Sequence, residues 1–256
     1  MAEDVQGRFM WYDLMTTDTE GAIAFFKAVT GWGTEPFPNP EMPYTMWTAN
    51  GAPIGGIMAL PPEAAGAPPH WLAYIGARDV DETVRRAKDL GATVHVAPRD
   101  IPDVGRFAVL ADPQGAAFAV YAPGSTPPAE QDFGVGQVSW HELLTTDSEA
   151  AQRFYFELFG WSITDTFDMG PMGIYAMYGR NGRTYGGMFN KPADMPAPPH
   201  WLLYVRVDDL DAAIERAKQA GGQLLHGPEE VPGGDRIAHL MDPQGGAFAL
   251  HETKKG

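Results

Sequence analysis

Apolar and polar positions along the chain alternate between two rhythms. Counting from Asp18, the apolar residues Ile23, Phe26 and Val29 fall on one helical side up to Gly31, and from Asp147 so do Phe154, Leu158 and Phe159 up to Gly160. This spacing predicts amphipathic helices capped by Asp and stopped by Gly. Two further helices are predicted from Asp79 to Leu90, ending at Gly91, and from Asp209 to Ala220, ending at Gly221. The remaining apolar stretches are short and suit strands. Leu202–Val207 precedes a helix, while Arg106–Leu110 and Ala117–Tyr121 follow one and are joined by a turn at Asp112-Pro113-Gln114-Gly115. The predicted unit is one strand, one helix and three strands, used four times.

The second half of the chain restates the first. Trp11–Asp18 returns as Trp140–Asp147 and Gly31-Trp32 as Gly160-Trp161, at an offset of 129. Pro68-Pro69-His70-Trp71 returns as Pro198-Pro199-His200-Trp201, and the Asp112 turn as Asp242-Pro243-Gln244-Gly245, at an offset of 130. Four motifs kept nearly in register imply a duplicated domain. The Pro-rich stretch Ala122–Glu130 reads as the seam. The expected division is 1–124, a linker over 125–133, and 134–256.

Composition supports this picture and excludes several functions. Thirty Gly and 23 Pro in 256 residues suit short strands and tight turns better than a helical bundle. The net charge of −15 leaves no basic face for a phosphate backbone or an anionic membrane, so neither nucleic acid nor membrane is expected as a partner. The absence of Cys removes disulfides, thiolate nucleophiles and Zn–thiolate sites. An acidic N-terminus and the lack of an apolar run of about 18 residues suggest a cytoplasmic location. Phosphate-loop, dinucleotide, nucleophile-elbow and His-Glu-x-x-His patterns are missing.

The order of these features resembles the vicinal oxygen chelate superfamily of glyoxalase I, bleomycin-resistance proteins and extradiol dioxygenases. The residues carrying the resemblance are a strand leading into Asp-x6-Phe-Phe/Tyr-x4-Gly-Trp, a central strand leading into Val207-Asp208-Asp209-Leu210, and Asp-Pro-Gln-Gly before the last strand. They are most similar to a two-domain glyoxalase-like branch with Trp-x-Asp/Glu-Leu on each first strand. The resemblance implies an α+β fold of tandem domains, each of two βαβββ modules whose mixed sheet curls round a cleft. It also implies positions for metal ligands, and by residue count those positions hold Trp11, Leu72 and Ala119 in the first repeat and Trp140, Leu202 and Ala249 in the second. The fourth-strand position lies within Gly55–Leu60 or Gly186–Asn190, where no carboxylate or His stands. A divalent metal needs about three protein donors, so no metal and no cofactor is expected.

Neighbouring residues carry the remaining chemistry. Asp13 and Glu142 lie two residues beyond the Trp positions, on the same face of the strand, and are candidate catalytic carboxylates or ligand anchors. The alternative reading has them accept hydrogen bonds from the Gly-rich strand or pair with Arg206 or Arg183. Trp11, Trp140, Tyr74, Tyr204 and Tyr121 are expected to wall a pocket, with Met15, Met58 and Met188 nearby. His70 and His200 are either ligand-binding or position the start of a strand, and His251 is a further candidate. His141 is expected on the helix side of the sheet, and His95 and His239 at surface or edge positions. Trp32, Trp71, Trp161 and Trp201 read as core.

The expected function is binding of a small planar or apolar metabolite. The alternative is a metal-dependent lyase, isomerase or dioxygenase with a displaced site of Glu142, His200 and His251, each about 6.6 Å along its strand from the implied position. A small-molecule ligand, in a monomer or homodimer, is the expected partner.

Overall fold

The computed structural model describes residues 4–38, 44–61, 64, 66–126 and 133–254. The first repeat comprises β1 (Phe9–Thr16), α1 (Thr19–Thr30), β2 (Gly33–Pro36), β3 (Thr45–Ala49), β4 (Ala52–Ala59), β5 (His70–Gly76), α2 (Val80–Asp89), β6 (Thr93–Ile101), β7 (Gly105–Ala111) and β8 (Ala117–Pro123). The second comprises β9 (Val138–Thr145), α3 (Ser148–Phe159), β10 (Ser162–Asp168), β11 (Ile174–Arg180), β12 (Arg183–Asn190), β13 (His200–Arg206), α4 (Leu210–Gln219), β14 (Gln223–Glu230), β15 (Arg236–Met241) and β16 (Ala247–Glu252). The βαβββ unit thus occurs four times. Part of the expected linker, 127–132, lies outside the described residues.

Each repeat forms one eight-stranded mixed sheet, β2-β3-β4-β1-β5-β8-β7-β6 and β10-β11-β12-β9-β13-β16-β15-β14. The pairs β1–β4, β5–β8, β9–β12 and β13–β16 are parallel, and the hairpin neighbours are antiparallel. Among the described residues no helix is long and apolar enough to cross a membrane.

The caps act as the sequence implies. Asp18, Asp79, Asp147 and Asp209 each accept a hydrogen bond from the backbone N–H three residues on, at 2.9–3.0 Å. Gly31 and Gly160 close α1 and α3 with φ of 75° and 71°, which a residue with a Cβ adopts only with strain. The core face of α1 is Ala22, Phe25, Phe26 and Val29, whereas Ile23 is only half-buried. In each Asp-Pro-Gln-Gly turn the first Asp is buried and its Oδ1 accepts two backbone N–H bonds, from Gln114 and Ala116 or from Gln244 and Gly246. The motif is therefore an Asp-nucleated turn.

Packing divides the chain into two compact units, each taking one module from either repeat. One unit is Met1–Met10, Ala73–Gln131 and His141–Trp201; the other is Trp11–Leu72, Asp132–Trp140 and Leu202–Gly256. The first has a core that includes Phe118, Phe154, Tyr155, Phe159, Trp161 and Trp201, with Arg86 Nη2 donating to Glu157 O at the end of α3. The second is built on Phe25, Phe26, Trp32, Trp47, Trp71 and Phe248, with Arg216 donating to Ala28 O and Val29 O at the end of α1. The four tryptophans read as core are all buried.

Candidate functional site

On β1, Asp13 lies beside Gly56 of the parallel strand β4, and on β9, Glu142 lies beside Gly187 of β12. Both carboxylates are buried, with 2% and 5% of their surface exposed. Burial of such a group is costly unless hydrogen bonds compensate it, and a tyrosine supplies one in each case. Tyr44, just before β3, donates its hydroxyl to Asp13 Oδ1, which also accepts from Trp11 Nε1 at 3.0 Å. The same indole N–H lies 2.7 Å from the Tyr44 oxygen. Burial, and then the neighbouring Asp13 charge, pushes the Tyr44 phenol far above its ordinary value, so it remains a donor.

In the second repeat Tyr175 of β11 donates to Glu142 Oε2 at 2.8 Å. The glycines make these contacts sterically available. A Cβ on Gly56 would overlap the Tyr44 ring, and one on Gly187 would overlap Tyr175. Phe189 packs beside Tyr175 with ring centroids 5.6 Å apart. The sequence reading did not single out either tyrosine. The repeat carried the signal, because Tyr44-Thr45-Met46-Trp47 returns as Tyr175-Ala176-Met177-Tyr178.

Arg206, one imagined partner of the carboxylates, instead donates to Phe133 O and Thr253 Oγ1 at 2.6 and 2.7 Å. Met188 was expected near the pocket but is fully buried in the core. It pairs in register with Leu143, one residue from Glu142, and so faces the other side of the sheet.

The positions implied for a metal do not fit one. Leu72, Ala119, Leu202 and Ala249 are buried and bear no donor atom, and the half-buried Trp11 and Trp140 carry indoles. Among the described residues, no three His, Cys, Asp or Glu side chains gather as a metal site requires. The displaced set is engaged elsewhere. Glu142 meets Tyr175, His200 Nδ1 bonds to Pro198 O at 2.8 Å, and His251 bonds through both ring nitrogens, to Ser139 Oγ at 2.8 Å and Asp235 Oδ2 at 2.9 Å.

Ala249 sits in register between Tyr204 on β13 and His239 on β15. Across this small residue the Tyr204 hydroxyl is hydrogen-bonded to His239 Nε2 at 2.8 Å. His239 is therefore half-buried and bonded to a candidate pocket residue, not at a sheet edge. The expectation failed because its counterpart is Val109, so the repeat gave no signal. His95, by contrast, is exposed on the edge strand β6.

His141 is fully buried on the helix side, stacked 3.6 Å from the Phe9 ring and bonded through Nδ1 to Tyr185 O at 2.9 Å. Burial lowers its pKa from 6.5 to about 3, so it is neutral and structural. His70 repeats the His200 contact through Nδ1 to Pro68 O at 2.8 Å, so both rings sit at the start of a strand. Burial also lowers the His200 pKa. Tyr74 forms an aromatic cluster with Phe107 and Tyr121, at centroid distances of 6.1 and 6.5 Å. Burial raises the Tyr121 pKa, and its hydroxyl donates to Val104 O.

Comparisons with known proteins agree with this architecture. Residues 136–250 match the Glyoxalase/Bleomycin resistance protein/Dioxygenase superfamily, and residues 10–121 match a glyoxalase-like domain. The chain is 35% identical over 249 residues to "Putative glyoxylase CFP32" of Mycobacterium tuberculosis (strain CDC 1551 / Oshkosh), covering 96% of this chain and 94% of that protein. It is 30% identical over 270 residues to "Anthracycline biosynthesis protein DnrV" of Streptomyces peucetius, covering 100% of this chain and 97% of that one. The fold is similar to that of the Mn(II)-bound glyoxalase from Novosphingobium aromaticivorans, with a TM-score of 0.64, 18% identity, and coverage of 100% and 84%. It is also similar to 2,2',3-trihydroxybiphenyl 1,2-dioxygenase from Sphingomonas wittichii strain RW1, with a TM-score of 0.66, 15% identity, and coverage of 98% and 91%. Two sheets of four βαβββ modules, matched in both halves and along nearly the whole chain, place this protein in the glyoxalase/bleomycin resistance protein/dioxygenase superfamily.

Proposed function

We propose that this protein binds a small planar or apolar metabolite without the superfamily's metal chelate, using Asp13 and Glu142 as buried polar anchors. The observation that carries the reading is the pairing of each buried carboxylate with a phenol across a glycine, Asp13 with Tyr44 and Glu142 with Tyr175. A carboxylate held this way can grip a ligand hydroxyl or amine, or accept its proton, while aromatic side chains supply apolar area. Two relatives named as anthracycline biosynthesis proteins support a planar ligand, since anthracyclines contain a fused aromatic ring system.

Titration with a tetracyclic anthracyclinone, followed by tryptophan fluorescence, tests the reading. Saturable binding is expected, and Glu142→Ala or Asp13→Ala should weaken it about tenfold, the equivalent of about 1.4 kcal/mol. Stoichiometric Fe, Mn, Ni or Zn in the purified protein, or binding unchanged in both variants, overturns it.

A further inference from the structure

The contacts of His251 include a second arrangement of polar groups that the carboxylate–tyrosine pairs do not use. Ser139 is the second residue of β9, His251 lies on β16, and Asp235 immediately precedes β15. His251 Nε2 is 2.9 Å from Asp235 Oδ2, and His251 Nδ1 is 2.8 Å from Ser139 Oγ. Asp235 Oδ1 accepts from Lys254 N at 2.8 Å, so both carboxylate oxygens are held.

The chemistry of the ring follows from these partners. A carboxylate fixes the proton on Nε2, which leaves Nδ1 with a lone pair directed at the serine hydroxyl. Burial raises the Asp235 pKa, but its hydrogen bonds from Lys254 N and His251, with the nearby Arg206 charge, outweigh that and leave it lowered. Asp235 is therefore ionised at neutral pH and suited to stabilise a protonated His251. Arg206, aligned with His251 on the neighbouring strand, adds a cation beside the pair. The serine is 9% exposed and the histidine side chain 14% exposed, so the group is sheltered without being sealed. The Ser139 hydroxyl also lies 3.3 Å from Tyr204 O, a weaker alternative acceptor. The first repeat has Met10, Gly105 and Tyr121 at the matching positions, so the fold does not require these three residues.

We infer that Ser139, His251 and Asp235 form a nucleophilic triad that takes small esters or comparable activated acyl compounds. The arrangement uses the two imidazole nitrogens in the reverse of their usual order, but the roles of nucleophile, base and orienting carboxylate are all filled. The Ser139 Oγ–H proton passes to His251 Nδ1 as Oγ bonds to the acyl carbon. The proton then leaves with the alkoxide as the alcohol when the acyl C–O bond breaks. Water attacks the acyl-serine, its proton returns through His251 to Oγ, and the carboxylic acid is released.

The test is covalent labelling of the whole chain with a small fluorophosphonate, in which an Oγ–P bond forms, the P–F bond breaks, and the serine proton leaves with fluoride. Folded wild-type protein is expected to gain a single adduct, mapped by peptide mass spectrometry to Ser139. Ser139→Ala should gain none there, and His251→Gln and Asp235→Asn should label at least tenfold more slowly. No adduct at Ser139 in the folded wild type, or the same rate in His251→Gln or in urea-unfolded protein, overturns the proposal. Because the wild-type adduct is itself the readout, misfolding of a variant does not block the test.

Discussion

A hydroxyl added at Phe26 should stabilise the protein, because the other unit shows what that hydroxyl would do. Tyr155 of α3 stands at the position matching Phe26, 129 residues on. Its hydroxyl donates to Asp112 Oδ2 at 3.1 Å and accepts from Trp201 Nε1 at 3.2 Å. The counterparts around Phe26 are Asp242 and Trp71, and there Asp242 Oδ2 and Trp71 Nε1 are buried with no hydrogen-bond partner. The ring geometry already matches, since Phe26 meets Trp71 at 5.3 Å and 86° while Tyr155 meets Trp201 at 5.2 Å and 80°.

Each new bond contributes about 1 kcal/mol net, so Phe26→Tyr should gain about 2 kcal/mol. Tyr155→Phe should lose about 1–3 kcal/mol, because it leaves two buried groups unsatisfied. Urea denaturation monitored by tryptophan fluorescence measures both, through the midpoint at an unchanged slope. A midpoint for Phe26→Tyr at or below wild type, or an unaltered one for Tyr155→Phe, would refute the reasoning. The first result would mean that the extra oxygen overfills the site.

Two further predictions concern the second repeat. The folded pKa of His141 lies below its unfolded value, so its neutral form stabilises the protein above about pH 6.5 and that contribution is lost as pH falls toward about 3. Relative to His141→Gln, wild type should lose about 1.4 kcal/mol per pH unit below about 6.5, or about 2 kcal/mol by about pH 5. Parallel pH dependences of the two proteins, measured by urea denaturation, would contradict this. Gly187→Ala should lower the melting temperature by several degrees because the new methyl collides with the Tyr175 ring, and the same substitution made in a Tyr175→Ala background should cost far less. An equal loss from Gly187→Ala in the wild-type and Tyr175→Ala backgrounds would sink that account.

Local signals determined much of this fold. Helix caps, glycine stops and the Asp-Pro-Gln-Gly turns act within a few residues, so Asp18, Asp147, Gly31 and Asp112 could be assigned from the chain alone. The near-exact repeat then ordered the four modules. The alternation of faces along β9 by itself puts His141 and Glu142 on opposite sides of the strand.

Tertiary structure decided what each side chain meets. Tyr44 lies 31 residues from Asp13 and reaches it only because β4 passes a glycine beneath the ring. Tyr204 finds His239 across Ala249 only when β13, β16 and β15 are in register. Met188 was misplaced because the register of β12 against β9, which the local sequence does not encode, turns it to the core. The compact units combine modules distant in sequence, so the hydrogen bond from Tyr155 to Asp112 is invisible along the chain. Sequence set the modules through short-range hydrogen bonds and periodicity. The partners of buried polar groups depended on long-range register, which only the assembled sheets supply.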